Sequence, residues 1–279
     1  MWGLNLPVLK WLTGHFEPAV LAALRMTAGA VLLGCMLVRR RTLVRAGAQN
    51  WGRLVMAGVL MVFVYQLLVT EGIHRTSATN GALVTALHPL IAALTAWALL
   101  GESLPGRSLL GAGLGLAGVA AVILMHPSAQ LHRATTGDLI LLAGLATYCV
   151  GASIAQRALE ELDPLVVSTV TQVVGAVLLV THTLFTAWWT NESPKMPASV
   201  CAWAVLVASA VVSTGVSGLL WNRAVAAIGM SRASMWLYWV PIFGMAAAAA
   251  FLGEPLTGWH VLGLSLVLTG THLAMHRAK

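Results

Sequence analysis

His88 and Pro89 stand side by side within an apolar run, the first place in the chain where chemistry could be done. A proline inside a helix removes a backbone hydrogen bond and loosens the preceding turn. An imidazole there could hydrogen-bond a ligand or take a proton, or it could be a packing group with its bonds already satisfied. Asn80, Val84 and His88 recur every four residues and so share one helical face. Trp236 and Trp239, one turn apart, precede a second internal proline, Pro241. Tyr65 and Tyr148 offer further flat surfaces with polar tips, which either hold a ligand or anchor helices at an interface. Asn5, Gln66, Ser153 and Asn222 interrupt apolar stretches. Burying an amide or hydroxyl without a partner is costly, so these groups are expected to face the protein interior, holding a substrate or bridging helices. Arg25 and Glu71 are expected to form a structural ion pair; capture of a carboxylate by Arg25 is the alternative.

Other patterns carry less. Gly113-Leu-Gly115-Leu-Ala-Gly118 fits a dinucleotide fingerprint, but no strand precedes it, and the glycines read better as a close helix contact. His272 and His276 are one turn apart with no carboxylate or cysteine beside them, so no metal is expected. Asn191-Glu-Ser193 is a glycosylation sequon of no consequence in a bacterial host. The three cysteines, Cys35, Cys149 and Cys201, lie in apolar runs and imply no disulfide framework.

The elements that must position these groups follow from composition. Charged residues are 9% of the 279 and apolar ones 58%, where a soluble domain carries about 25% charged residues. Mean hydropathy is +0.84. That balance excludes soluble enzymes, nucleic-acid modules, coiled coils and disordered chains, and defines an all-α integral membrane protein. A span needs roughly 20 apolar residues, and ten helices are predicted at 1–13, 18–38, 53–74, 77–100, 108–125, 137–160, 164–189, 198–223, 231–252 and 257–276. Pro18 and Pro164 suit first-turn positions. The first stretch is too short to span, so the chain is expected to begin partway through its first helix.

The pI near 10 reflects topology rather than nucleic acid. Arg39, Arg40, Arg41, Arg45, Arg53, Arg107, Arg157, Arg223, Arg232, Arg277 and Lys279 collect on one side, and Lys10, Arg75, Arg133 and Lys195 on the other. Excess basic residues mark the cytoplasm, so both termini are expected inside.

The chain also repeats. Shifting it by 152 places lays 89–118 on 241–270 with thirteen identities, among them Pro89/Pro241, Gly101/Gly253, Glu102/Glu254, Gly111/Gly263 and Gly118/Gly270. A shift of 146 pairs Glu17-Pro18 with Asp163-Pro164, and Gly29 with Gly175. The expected domains are therefore 1–130 and 131–279, five helices each. An odd number of spans inverts the second copy, and inverted repeats place a substrate site near the midplane between them.

Trp2-Gly3-x-Asn5-x-Pro7 with Lys10, Ala22-x-x-Arg25, Thr76-Ser77-Ala78 leading to Pro89 and Leu100-Gly101-Glu102, and Leu220-Trp221-Asn222-Arg223-Ala224 leading to Pro241 and Leu252-Gly253-Glu254 occur in order along the chain. In this it resembles the drug/metabolite transporter superfamily, specifically its ten-helix EamA-type exporters, over essentially its whole length. The incomplete first helix and the charge of Glu71 are departures. The resemblance implies a bacterial inner-membrane exporter of amino acids, metabolites or cationic drugs, and the aromatic content resembles the branch exporting aromatic amino acids. The expected pocket lies between the copies, with Pro89 and Pro241 as hinges or walls. No enzymatic activity, cofactor or nucleic-acid partner is expected. The expected partners are a small-molecule substrate and the lipid bilayer, and a monomer should suffice. Within transport the alternative is export of organic cations. A membrane enzyme or a non-transporting scaffold would be the readings from other classes.

Overall fold

The computed structural model describes residues 2–40, 48–100, 106–125, 131–191, 196–197, 199–228, 237 and 239–275. Trp236, Arg232, Glu102 and His276 lie outside the described residues. All the regular structure described is helical. In chain order it runs α1 (Trp2–Thr13), α2 (Pro18–Arg39), α3 (Ala48–Ala57), π1 (Gly58–Val64), α4 (Tyr65–Arg75), α5 (Ala78–Thr85), α6 (His88–Leu100), α7 (Gly106–Met125) and α8 (Leu131–Leu159). It continues with α9 (Pro164–Thr190), α10 (Val200–Ser209), π2 (Ala210–Val216), α11 (Ser217–Ile228), α12 (Trp239–Leu252) and α13 (Gly258–Met275). Six segments among the described residues are long and apolar enough to cross a membrane.

Local chemistry sets the ends. Pro18 and Pro164 occupy first-turn positions, where their missing N–H costs nothing. Asp163 caps α9 by accepting from the Leu165 N–H at 2.7 Å, and Asn191 closes that helix in the left-handed conformation. Ser77 caps α5 through the Asn80 N–H. Within the helices, hydroxyls such as Thr70, Thr169 and Thr171 donate to carbonyls three or four residues back. Polar groups satisfied in this way can be carried through hydrocarbon.

Two departures from regular helix matter. The predicted single helix over 77–100 is broken at Ala86 and Leu87, whose N–H groups donate to Leu83 and Val84 three residues back. The sequence supplies the cause, since a proline at position 89 has no N–H to donate and disfavours continuation of the preceding helix. Pro89 therefore opens α6, and Pro241 lies in the first turn of α12. The second departure is the π-helical stretches. They begin at Gly58 and Ala210 and end at Val64 and Val216, each 152 residues from its counterpart.

Side-chain and backbone contacts recur under the same shifts. A Cβ on Gly3 would lie 2.9 Å from the Val240 carbonyl oxygen, and Cys149, its counterpart, directs its thiol at the His88 carbonyl at 3.9 Å. A Cβ on Gly29 would lie 3.1 Å from Thr214 Cγ2, and one on Gly175 would overlap Val62. A Cβ on Gly118 would lie 2.7 Å from the Gly263 carbonyl oxygen, and one on Gly270 would overlap that of Gly111. The last pair shows α7 and α13 packing antiparallel within the chain.

The apolar core joins α1, α4, α5, α8, α10 and α12 through Leu9, Leu12, Ile73, Leu83, Leu141, Leu206 and Met245. Near one end of this core Lys10 donates to the Ile73 and His74 carbonyls at the C-terminus of α4, both at 3.0 Å. The Glu254 carboxylate accepts from the Ala78 and Thr79 N–H groups at the start of α5, a favourable place for negative charge. One of the two Gly-Glu pairs thus ties α5 to the end of α12. Trp188 and Trp189, at 74% exposure each, stand out from the bundle with Phe185. Trp203 instead turns inward, its edge on Phe16.

Candidate functional site

A cavity of about 160 Å³ sits where α1, α2, π1, α4, the α5–α6 break, α8, α9 and π2 converge. Its walls include Trp2, Asn5, Arg25, Met61, Tyr65, Gln66, Thr85, His88, Leu145, Tyr148, Gln172, Ser213, Thr214, Leu237 and Val240. Three rings form one corner. Tyr65 and Tyr148 have centroids 5.0 Å apart, and His88 meets Tyr148 at 5.1 Å, edge to face. The break at residues 86–87 brings Thr85 and His88 to the cavity, and the end of π1 delivers Tyr65 and Gln66.

The opposite side is polar. Arg25 Nη2 donates to Asn5 Oδ1 at 2.8 Å and to Thr214 Oγ1 at 3.4 Å. Ser209 also donates to Asn5 Oδ1, and the Trp2 indole N–H donates to the Ser213 carbonyl within π2. Gln172 donates to the Met26 carbonyl at 3.2 Å. Gln66 Oε1 and Arg25 Nε are buried without a hydrogen-bond partner among the described residues.

Of the residues singled out from the sequence, Asn5, Tyr65, Gln66, His88 and Tyr148 come together around this cavity. Others do not. Asn80 lies deeper in α5, where its side-chain oxygen meets His260 Nε2 at 3.3 Å, and Val84 is packed in the core. Their spacing by four puts them on the His88 face only in an unbroken helix, and the hydrogen bonding tightens to three-residue steps at Ala86 and Leu87. Trp239 is 53% exposed and packs beside Phe243 on the outside of the bundle, while Val240 and Leu237 take the inward positions. Ser153 donates to the Cys149 carbonyl one turn back, and Asn222 bridges α11 to α9 through Ser168 at 2.6 Å. The Arg25–Glu71 pair is not formed. Glu71 pairs with Arg75, one turn on, because Arg25 is drawn toward α1 and π2 while Glu71 lies near the far end of α4.

Gln172, Ser213, Thr214 and Thr85 join the wall without having been singled out from the sequence, and Arg25, singled out first as an ion-pair partner, lies in it too. The signal for part of this set was available: Ser209, Ser213 and Ser217 recur every four residues in an apolar run, a polar helical stripe.

Membrane-length apolar helices enclosing a small cavity with mixed polar and aromatic walls fit a multi-pass membrane carrier. Comparison with known proteins agrees. Residues 1–124 and 135–275 match the EamA-like transporter family, and the chain belongs to it. It is 27% identical over 274 residues to the uncharacterized transporter YyaM of Bacillus subtilis (strain 168), covering 96% of this chain and 88% of that one. The uncharacterized transporter YvbV of the same organism is 23% identical over 279 residues, covering 100% and 89%. A solved crystal structure shares the fold with a TM-score of 0.66 at 20% identity, covering 98% of this chain and 94% of its own. The protein is a multi-pass membrane transporter of this family.

Proposed function

We propose that the protein exports small amphipathic metabolites, most plainly aromatic or other neutral amino acids, across a bacterial inner membrane. The observation that carries this reading is the cavity itself. The ring corner of Tyr65, Tyr148 and His88 suits a flat apolar group, and Arg25 with Asn5 faces it as a polar anchor. Ten spans in two inverted five-helix halves, divided near residue 130, would let the halves rock about the cavity and open it to each side in turn. The recurrence of contacts and π stretches under shifts of 146 and 152 supports that arrangement. Pro89 and Pro241, each at the start of its helix, are the natural hinges. Both termini are cytoplasmic in this scheme, and one chain suffices. Organic cations, the competing class, would meet a guanidinium in the wall.

The test is uptake of labelled tryptophan or phenylalanine into proteoliposomes preloaded with the same compound. Saturable exchange competed by other aromatic amino acids is expected. Exchange of organic cations with no amino-acid exchange by folded protein would overturn the reading.

A further inference from the structure

The charge in the cavity has no counter-charge among the described residues. Arg25 is 2% exposed, and a guanidinium stays protonated in proteins. Both of its hydrogen bonds leave from Nη2 to neutral oxygens, and Nε has no partner among the described residues. The ion pairs among the described residues join Arg53 to Glu161 and Arg75 to Glu71. Among the described residues no aspartate or glutamate lines the cavity. A buried unpaired charge is expensive. The scaffold does not demand it either, since the matching position in α9 is Thr171, whose hydroxyl is satisfied by Val167.

We infer that Arg25 is the binding group for a carboxylate, and that the cavity selects organic anions by that carboxylate without reading an amino group. The guanidinium presents N–H donors in a planar fork that matches a carboxylate. An ammonium would find only neutral acceptors, such as Gln66 Oε1, and would sit in a cavity that already holds a positive charge. Arg25 is held in place by Asn5, which accepts from it, so Asn5 is a positioning residue. This inference rests on the cavity being the transport site and narrows what it accepts: an amino acid enters as a carboxylate with an apolar tail, and its des-amino analogue should be accepted at least as well.

The test compares three probes on the full chain in lipid nanodiscs and proteoliposomes: phenylalanine, 3-phenylpropionate and phenethylamine. Binding is read from tryptophan fluorescence, to which Trp2 at the cavity contributes, and transport from exchange. The expected order places 3-phenylpropionate equal to or tighter than phenylalanine, and phenethylamine at least about tenfold weaker. Arg25→Gln should weaken both carboxylates at least about tenfold and leave phenethylamine unchanged or improved. Phenethylamine binding as well as the carboxylates, or Arg25→Gln keeping the carboxylate preference, overturns the inference. Should Arg25→Gln fail to fold, judged by gel filtration, the order of the three probes on the unaltered protein decides. Binding of 3-phenylpropionate in the absence of phenylalanine exchange sinks the amino-acid reading and supports the carboxylate one. Binding of none of the three overturns the carboxylate one.

Discussion

π1 against α8 and α9, and π2 against α1 and α2, correspond under shifts of 152 and 146 residues, but they are joined differently. The first seam is closed backbone to backbone. A Cβ on Gly151 would lie 2.8 Å from the Met61 nitrogen, and one on Gly58 would lie 2.9 Å from the Thr171 carbonyl oxygen. In the second seam Asn5 stands where Gly151 stands in the first, and Arg25 where Thr171 stands. There the elements are held by side chains: Trp2 on the Ser213 carbonyl, and Arg25 on Thr214. The cavity walls repeat the lesson. Met26/Gln172, Met61/Ser213, Val62/Thr214, Gln66/Gly218, Thr85/Leu237 and His88/Val240 correspond under the shifts of 146 and 152, and each pair offers a polar side chain from one member only. A shared backbone plan makes the enclosure, and divergence at a few positions makes its chemistry.

The closed seam leaves least room for substitution. Gly175→Leu would drive a side chain into Val62 and cost about 3 kcal/mol or more, so little folded protein should survive gel filtration in detergent. A well-folded variant would show that the seam has slack. Asn5→Gly makes the second seam resemble the first in sequence. It should leave folding intact but release Arg25, cutting exchange by about tenfold, equivalent to about 1.4 kcal/mol. Unchanged exchange would show that Arg25 needs no support from α1. His88→Val copies the Val240 side of the cavity into α6. Loss of the ring contact with Tyr148 should weaken binding of an aromatic ligand by roughly fivefold, about 1 kcal/mol, with thermal stability little changed. Gly34→Ala is the smallest change, since nothing lies within 4 Å of the added methyl. Its unfolding temperature should be unchanged or raised slightly, by about 0.5 kcal/mol of stability.

The helices were legible from composition and punctuation, because Pro18, Pro164 and the apolar run lengths act locally. The starts of α2 and α9 fall where those prolines predict. The π stretches were not legible. GVLMVFV and AVVSTGV share no residue pattern that distinguishes them from ordinary helix, and Gly151 and Gly175, which approach the first of them closely, lie far from it in the sequence. That gap propagates to the site. Every residue placed by counting threes and fours through an interruption was exposed to an error of phase, which is why Asn80 and Val84 were expected beside His88. Tyr65, Gln66 and Tyr148 were expected from their polarity alone, and the structure gathers them. Arg25 is expected from the sequence to pair with Glu71, with capture of a carboxylate as the alternative; Glu71 pairs with Arg75 instead, because it lies one turn away on the same helix.

The glycine contact between α7 and α13 has one more consequence. Gly118 rests on Gly263, and Gly270 on Gly111, so each contact is the image of the other. In a symmetric homodimer such reciprocity defines an isologous interface, and any substitution there falls twice. Here the two surfaces share one chain. Tethering keeps them at high effective concentration, so small residues and bare backbone suffice where free subunits would need a larger anchor. It also uncouples the two contacts, because altering Gly118 leaves the Gly270 contact in place. Either of the two contacts can therefore vary while the other keeps the register.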